Sequence, residues 1–142
     1  MKKLTLTLSV ILFCAFSLVA EPEKPVTIKN LPQISQQFLS THFSNLTFSS
    51  GVQEGLNNVE YTIKYTDGTE VEFDAKGQWK EVKSRISVPD AIIPAKILQY
   101  VKVKYSNAEI VKIEKDRNGF EIELSNDIDL VFNTDGDFVK VD

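Results

Sequence analysis

Phe73-Asp74-Ala75-Lys76-Gly77-Gln78-Trp79, followed by Val82, returns as Phe132-Asn133-Thr134-Asp135-Gly136-Asp137-Phe138, followed by Val141, at an offset of 59 (132 − 73). Upstream, Leu31-Pro32 opens a stretch ending in Phe38-Leu39 and His42-Phe43-Ser44-Asn45. Ile93-Pro94 opens one ending in Tyr100-Val101 and Lys104-Tyr105-Ser106-Asn107, at an offset of 62 (93 − 31). The slippage of three falls between the two blocks, where hairpin lengths can differ. A duplicated unit too small to bury its own apolar face argues for two copies sharing one continuous core.

The chain has 142 residues. Met1-Lys2-Lys3 and the apolar run from Leu4 to Ala20, ahead of the polar Glu21-Pro22-Glu23-Lys24-Pro25, read as a secretory signal peptide over 1–20, cut near Ala20. A transmembrane anchor is the competing reading, but Thr5, Thr7, Ser9 and Ser17 interrupt a run shorter than the ~20 residues a bilayer requires. Cleavage would remove Cys14, the only cysteine, and with it any disulfide, thiolate nucleophile or cysteine-ligated metal. It would also lower the formal charge from −4 to −6, with 14 Lys+Arg against 20 Asp+Glu. Such an acidic balance without basic clusters speaks against nucleic acid and anionic membrane surfaces as partners.

Each copy carries the same order of elements. Leu31, Ile34, Phe38 and Leu39 fall at helical spacing, with Pro32 in the first turn and His42 in the last; Ile93, Ile97, Tyr100, Val101 and Tyr105 repeat the stripe, with Lys104 at the position of His42. After each helix the period becomes two. Val59, Tyr61, Ile63 and Tyr65, then Val71 and Phe73, alternate with polar residues, as do Phe120, Ile122 and Leu124; Leu130 and Phe132 then alternate with Asp129 and Val131. Asp67-Gly68, Asn118-Gly119 and Asp135-Gly136 supply tight turns. With shorter runs near 48–53 and 110–114, about four strands per copy are expected. The predicted class is α+β: a two-layer sandwich with both helices on one face of a continuous antiparallel sheet of about eight strands, the other face open. Residues 21–30 are expected to be a loose leader, 31–85 and 93–142 the two repeats, and 86–92 their linker.

These residues resemble a known family. Leu-Pro before a Phe-rich helix, an alternating strand, Asp-Gly, the phrase from Phe73 to Val82, a Val-Pro linker and a second Ile-Pro copy look like the PepSY-like periplasmic proteins. That resemblance covers 31–142 and implies a secreted bacterial protein similar in fold to a β-lactamase inhibitor protein. It carries no inhibitory contact residues over to this chain, which also lacks the inhibitor's cysteines.

Little in the sequence points to catalysis. His42 is the only histidine, so a two-His metal motif is impossible, and no Gly-x-Ser-x-Gly or phosphate-cradling glycine loop occurs. His42 reads as a helix C-terminal residue packed near Phe43 rather than a base. Asn133, Asp135 and Gly136 match a calcium loop only superficially, because its first ligand position would be Val131. Glu60, Glu70, Glu72, Glu121, Glu123 and Asp129 read as a solvated strand face rather than a cation site. Asn45-Leu46-Thr47 reads as a helix-to-strand turn rather than a glycosylation site. No catalytic, metal or cofactor residues are assigned, and the protein is expected not to be an enzyme.

Trp79 and Phe138 each follow a glycine turn and stand three positions before a valine. In an unbroken strand that spacing puts ring and valine on opposite faces, so valines facing the helices would send the rings outward. A β-bulge near the glycine would instead reset the alternation and turn both rings toward the core. The functional expectation is a secreted, non-catalytic binding module, inhibitor-like toward an envelope or extracellular protein. It would act through the open sheet face and adjoining turns, with Trp79, Phe138, Asp67 and Gly68 as candidate partner-binding residues. A periplasmic carrier of small molecules or peptides is the alternative. The mature chain is expected to be a monomer or weak dimer, without membrane insertion.

Overall fold

Prolines set where the two long helices begin. Pro32 and Pro94 occupy the N-cap positions of α1 (Gln33–His42) and α2 (Ala95–Lys104), with extended ψ values of 146° and 133° that turn the chain into each helix. Around them a computed structural model describes residues 22–142. The signal-peptide reading of 1–20 and its cut near Ala20 lie outside the described residues.

The strands are β1 (Lys24–Pro25), β2 (Phe48–Glu54), β3 (Glu60–Tyr65), β4 (Glu70–Asp74), β5 (Trp79–Lys83), β6 (Ile110–Asp116), β7 (Gly119–Leu124), β8 (Asp129–Asn133) and β9 (Phe138–Val141). They form one open, wholly antiparallel sheet whose spatial order is the chain order, β1 through β9. With two helices, this is an α+β fold. The seam between the copies is short: β5 meets β6 through Glu81↔Glu114, Val82↔Ile113 and Lys83↔Lys112. One hydrophobic core runs across it. Ile63, Val71, Phe73 and Val82 from the first copy and Ile113, Ile122, Leu130 and Phe132 from the second are almost completely buried with Leu39, Ile97 and Val101 of the helices.

The sheet has nine strands rather than about eight because the stretch expected to be a loose leader contributes one. Lys24 and Pro25 pair with Gln53 and Val52, the Val26 N–H donates to the Gly51 carbonyl (2.9 Å), and the Val26 side chain is buried. Two residues are too few to show an alternation, and proline fits an edge strand, where its missing N–H costs no ladder bond. The linker is likewise built in: Val88 is buried, and its N–H donates to the Ile110 carbonyl (2.7 Å).

The α1 stripe also departs from expectation. Ile34 is 44% exposed, and its neighbour Ser35 is fully buried in its stead. The Ser35 hydroxyl donates to the Gly77 carbonyl (2.8 Å), which fastens the helix to the β4–β5 hairpin.

Candidate functional site: the open sheet face and the aromatic hairpins

The two aromatic residues after the glycine turns stand on the helix side of the sheet, which corrects the outward placement drawn from unbroken alternation. The register between β4 and β5 runs Glu72↔Glu81 and then Phe73↔Trp79, so Lys80 is an extra residue and the parity resets. Val139 plays that part in β9, between Val131↔Lys140 and Phe132↔Phe138. Trp79 therefore stacks on Phe38 of α1 (centroids 6.1 Å apart, 23° between planes), and Phe38 meets Phe73 edge-on (5.9 Å, 87°). The second copy reproduces the triad: Tyr100 of α2 stacks on Phe138 (4.9 Å, 12°) and meets Phe132 edge-on (5.4 Å, 85°).

The two triads differ in what lies beside them. The Lys115 ammonium of β6 sits 4.0 Å from the centre of the Trp79 ring, and burial pushes its pKa below the ordinary lysine value despite the nearby Asp74. Phe138 is flanked by β8 alone, with no strand among the described residues on its outer side, and is 38% exposed at the sheet edge.

Asp67 and Gly68 form the β3–β4 turn. The Asp67 carboxylate accepts from the Thr69 N–H (2.8 Å) and the Thr69 hydroxyl (3.1 Å), and Gly68 has a φ of 90°, a left-handed value that favours glycine. This turn is at the opposite end of β4 from Phe73 and Trp79. Phe138 lies four strands beyond β5, about 19 Å at the usual strand spacing. The four candidate residues therefore do not converge on one site.

What the sheet brings together on its uncovered face is charge. Glu72, Glu81, Glu114 and Glu121 are successive cross-strand partners on β4, β5, β6 and β7, and each is adjacent in its strand to a buried residue that points the other way. Lysines interrupt the row from the side. Lys112 lies 3.2 Å from Glu81 and 3.3 Å from Glu114, and Lys80 is bonded to Glu60. The Glu72 carboxyl is held above the usual glutamate pKa, first by burial and then by the charges of Glu81 and Glu70, with Lys80 opposing. Lys80 is raised above its ordinary value chiefly by its hydrogen bond to Glu60. Alternation in the sequence marks Glu72 and Glu121 on their strands but carries nothing that aligns Glu81 and Glu114 with them. Only the register at the copy seam puts them between the other two.

His42 lies in the last turn of α1 with its ring 4.7 Å from Phe38 and 6.3 Å from Phe43. Asn133 shapes a turn: its side-chain oxygen accepts from the N–H groups of Asp135 (3.0 Å) and Asp137 (2.9 Å), as Asp74 accepts from those of Lys76 and Gln78 (2.9 Å each). Among the described residues, no group of three or more His, Cys, Asp or Glu side chains is arranged to hold a metal ion, and no helix is long and apolar enough to cross a membrane.

A meander of nine strands carrying both helices on one side defines an α+β protein with one bare sheet face. The chain belongs to the PepSY-like family: the family model described as "Putative beta-lactamase-inhibitor-like, PepSY-like" matches residues 59–140. It is similar to a "putative calcium-regulated periplasmic protein" of Bacteroides thetaiotaomicron, with 38% identity and a TM-score of 0.82 over 84% of this chain and 96% of that one. A periplasmic protein of the DUF2874 family from Bacteroides vulgatus is 34% identical (TM-score 0.81; 87% and 98% covered). A periplasmic protein of unknown function from the same species is 31% identical (TM-score 0.80; 85% and 99% covered). No curated protein matches the chain.

Proposed function

We propose that this is a periplasmic, non-catalytic binding module that recognises a protein of the cell envelope through its open sheet face. The compartment rests on the periplasmic descriptions of the similar structures. The observation that carries the binding role is the row Glu72–Glu81–Glu114–Glu121. Like charges directly opposite one another on neighbouring strands weaken a sheet. Lys112 offsets part of that cost at Glu81 and Glu114, and a basic surface laid across the row would recover what remains at Glu72 and Glu121 by neutralising the charge. The partner is accordingly a protein presenting lysines or arginines to a shallow face. Trp79 and Phe138 do not contribute anchors to this face, because they stand on the helix side of the sheet.

The similar protein of B. thetaiotaomicron is described as calcium-regulated. The donor arrangement described above gives no reason to include a metal here. The test is affinity purification from the native envelope fraction with wild type and with E72Q/E81Q/E114Q/E121Q, alongside assays against a panel of β-lactamases and proteases. A partner held by wild type, released by salt and lost by the variant is the expected result. A partner retained equally by the variant would sink the open-face reading.

A further inference from the structure

The two edges of the sheet are finished differently. At one end β1 covers β2 with a two-residue strand containing Pro25, which has no N–H to offer an incoming chain. At the other end no strand among the described residues covers β9, and Val139 and Val141 are 56% and 54% exposed. Asp142 donates its N–H to the Asp129 carbonyl, and Asp137 accepts from the Asn133 N–H. By the alternation of an antiparallel ladder, the adjacent residues Val141 and Phe138 turn their own N–H and C=O groups to the open side.

The first copy shows what such an edge accepts. There β5, the counterpart of β9, is covered by β6: Ile113 pairs with Val82, the counterpart of Val141, and Lys115 reaches over Trp79, the counterpart of Phe138. In the second copy the flank of α2 beside that edge carries a groove of about 290 Å³ lined by Lys96, Gln99, Tyr100, Val103 and Lys104, and its Tyr100 stacks on Phe138 of β9. Lys96 and Lys104 stand where α1 has Ile34 and His42. Lys96 is paired with Asp137, whereas Lys104 has no carboxylate partner among the described residues.

We propose that the β9 edge docks an extended segment of a partner protein as a tenth strand. An apolar residue of that segment lies opposite Val141, and a carboxylate takes the place of Lys115 and faces Lys104. Charge complementarity selects this occupant over a second copy of the chain. Two-fold pairing of β9 with itself would bring the α2 flanks together, each carrying the uncompensated Lys104 and no carboxylate of its own, Lys96 and Lys102 being already paired with Asp137 and Asp90. This edge site is separate from the Glu72–Glu121 face.

Synthetic peptides of the β6 sequence, residues 110–116, unmodified and carrying K115E, are titrated into the isotope-labelled protein and followed by NMR. The expected result is amide shifts confined to β9 and α2, slowed exchange of the Val141 amide, and roughly two- to fivefold tighter binding of the K115E peptide, the scale of one exposed ion pair. K104Q erases the preference between the peptides. V141P, which removes an outward N–H and no bond to β8, abolishes binding with little change in melting temperature. The proposal is overturned by no shift at millimolar peptide, by shifts confined to the glutamate face, by Val141 exchange that peptide leaves unchanged in the wild type, or by binding that V141P leaves unaltered. Concentration-dependent β9 pairing between two copies that excludes the peptide overturns the choice of occupant.

Discussion

Ser35 and Ile97 hold equivalent places in the two helices, and both are fully buried. The serine is tolerated because its hydroxyl meets the Gly77 carbonyl, at a turn where a Cβ on Gly77 would come within 2.7 Å of that same hydroxyl oxygen. Ser35→Ala leaves the carbonyl unmet and is expected to cost about 1–2 kcal/mol in a denaturant titration. Trp79 is half-buried between Phe38, Phe73 and Lys115 rather than displayed to solvent. Trp79→Ala is expected to cost about 2–4 kcal/mol, short of or near the range for a fully buried ring. A loss near zero would restore an exposed role for the ring. Ser35 is not legible in the sequence, and for Trp79 the sequence leaves both facings open. Ser35 was masked by its apolar neighbour Ile34, and the ring's facing turned on one extra residue in a strand, which leaves no mark on the pattern of residue types.

At the level of elements, alternation gave β3, β4, β7 and β8, and the Leu-Pro and Ile-Pro starts gave both helices, because each is long enough for its period to repeat. The glutamate row and the β9 edge depend on which strands are neighbours and in what register, and a single sequence does not display register between strands. The shortest element shows the limit most clearly. β1 has two residues and no pattern, yet it seats Val26 in the core. Val26→Ala is expected to cost about 1–2 kcal/mol and to speed amide exchange along β2, whereas truncating a loose leader would change neither.

For the whole molecule, the raised Glu72 carboxyl makes stability depend on pH in a definite direction. The native state holds that proton more tightly than the unfolded chain. The resulting stabilisation is fully present below the ordinary glutamate pKa and is lost as pH rises through the raised one. Glu72→Gln is expected to raise the melting temperature at neutral pH, with the gain shrinking to nothing at acid pH; an equal gain at both would assign the effect to something other than charge. The order of the sheet governs a different property. Every strand pairs with the strand before or after it in the chain, so each ladder closes by a hairpin or a single helical excursion, and no pairing waits for a distant segment to arrive. Search through wrong loops is what slows β-rich chains. This topology is therefore expected to refold on the order of milliseconds, faster than a β-sandwich of equal length, with either copy able to begin the process.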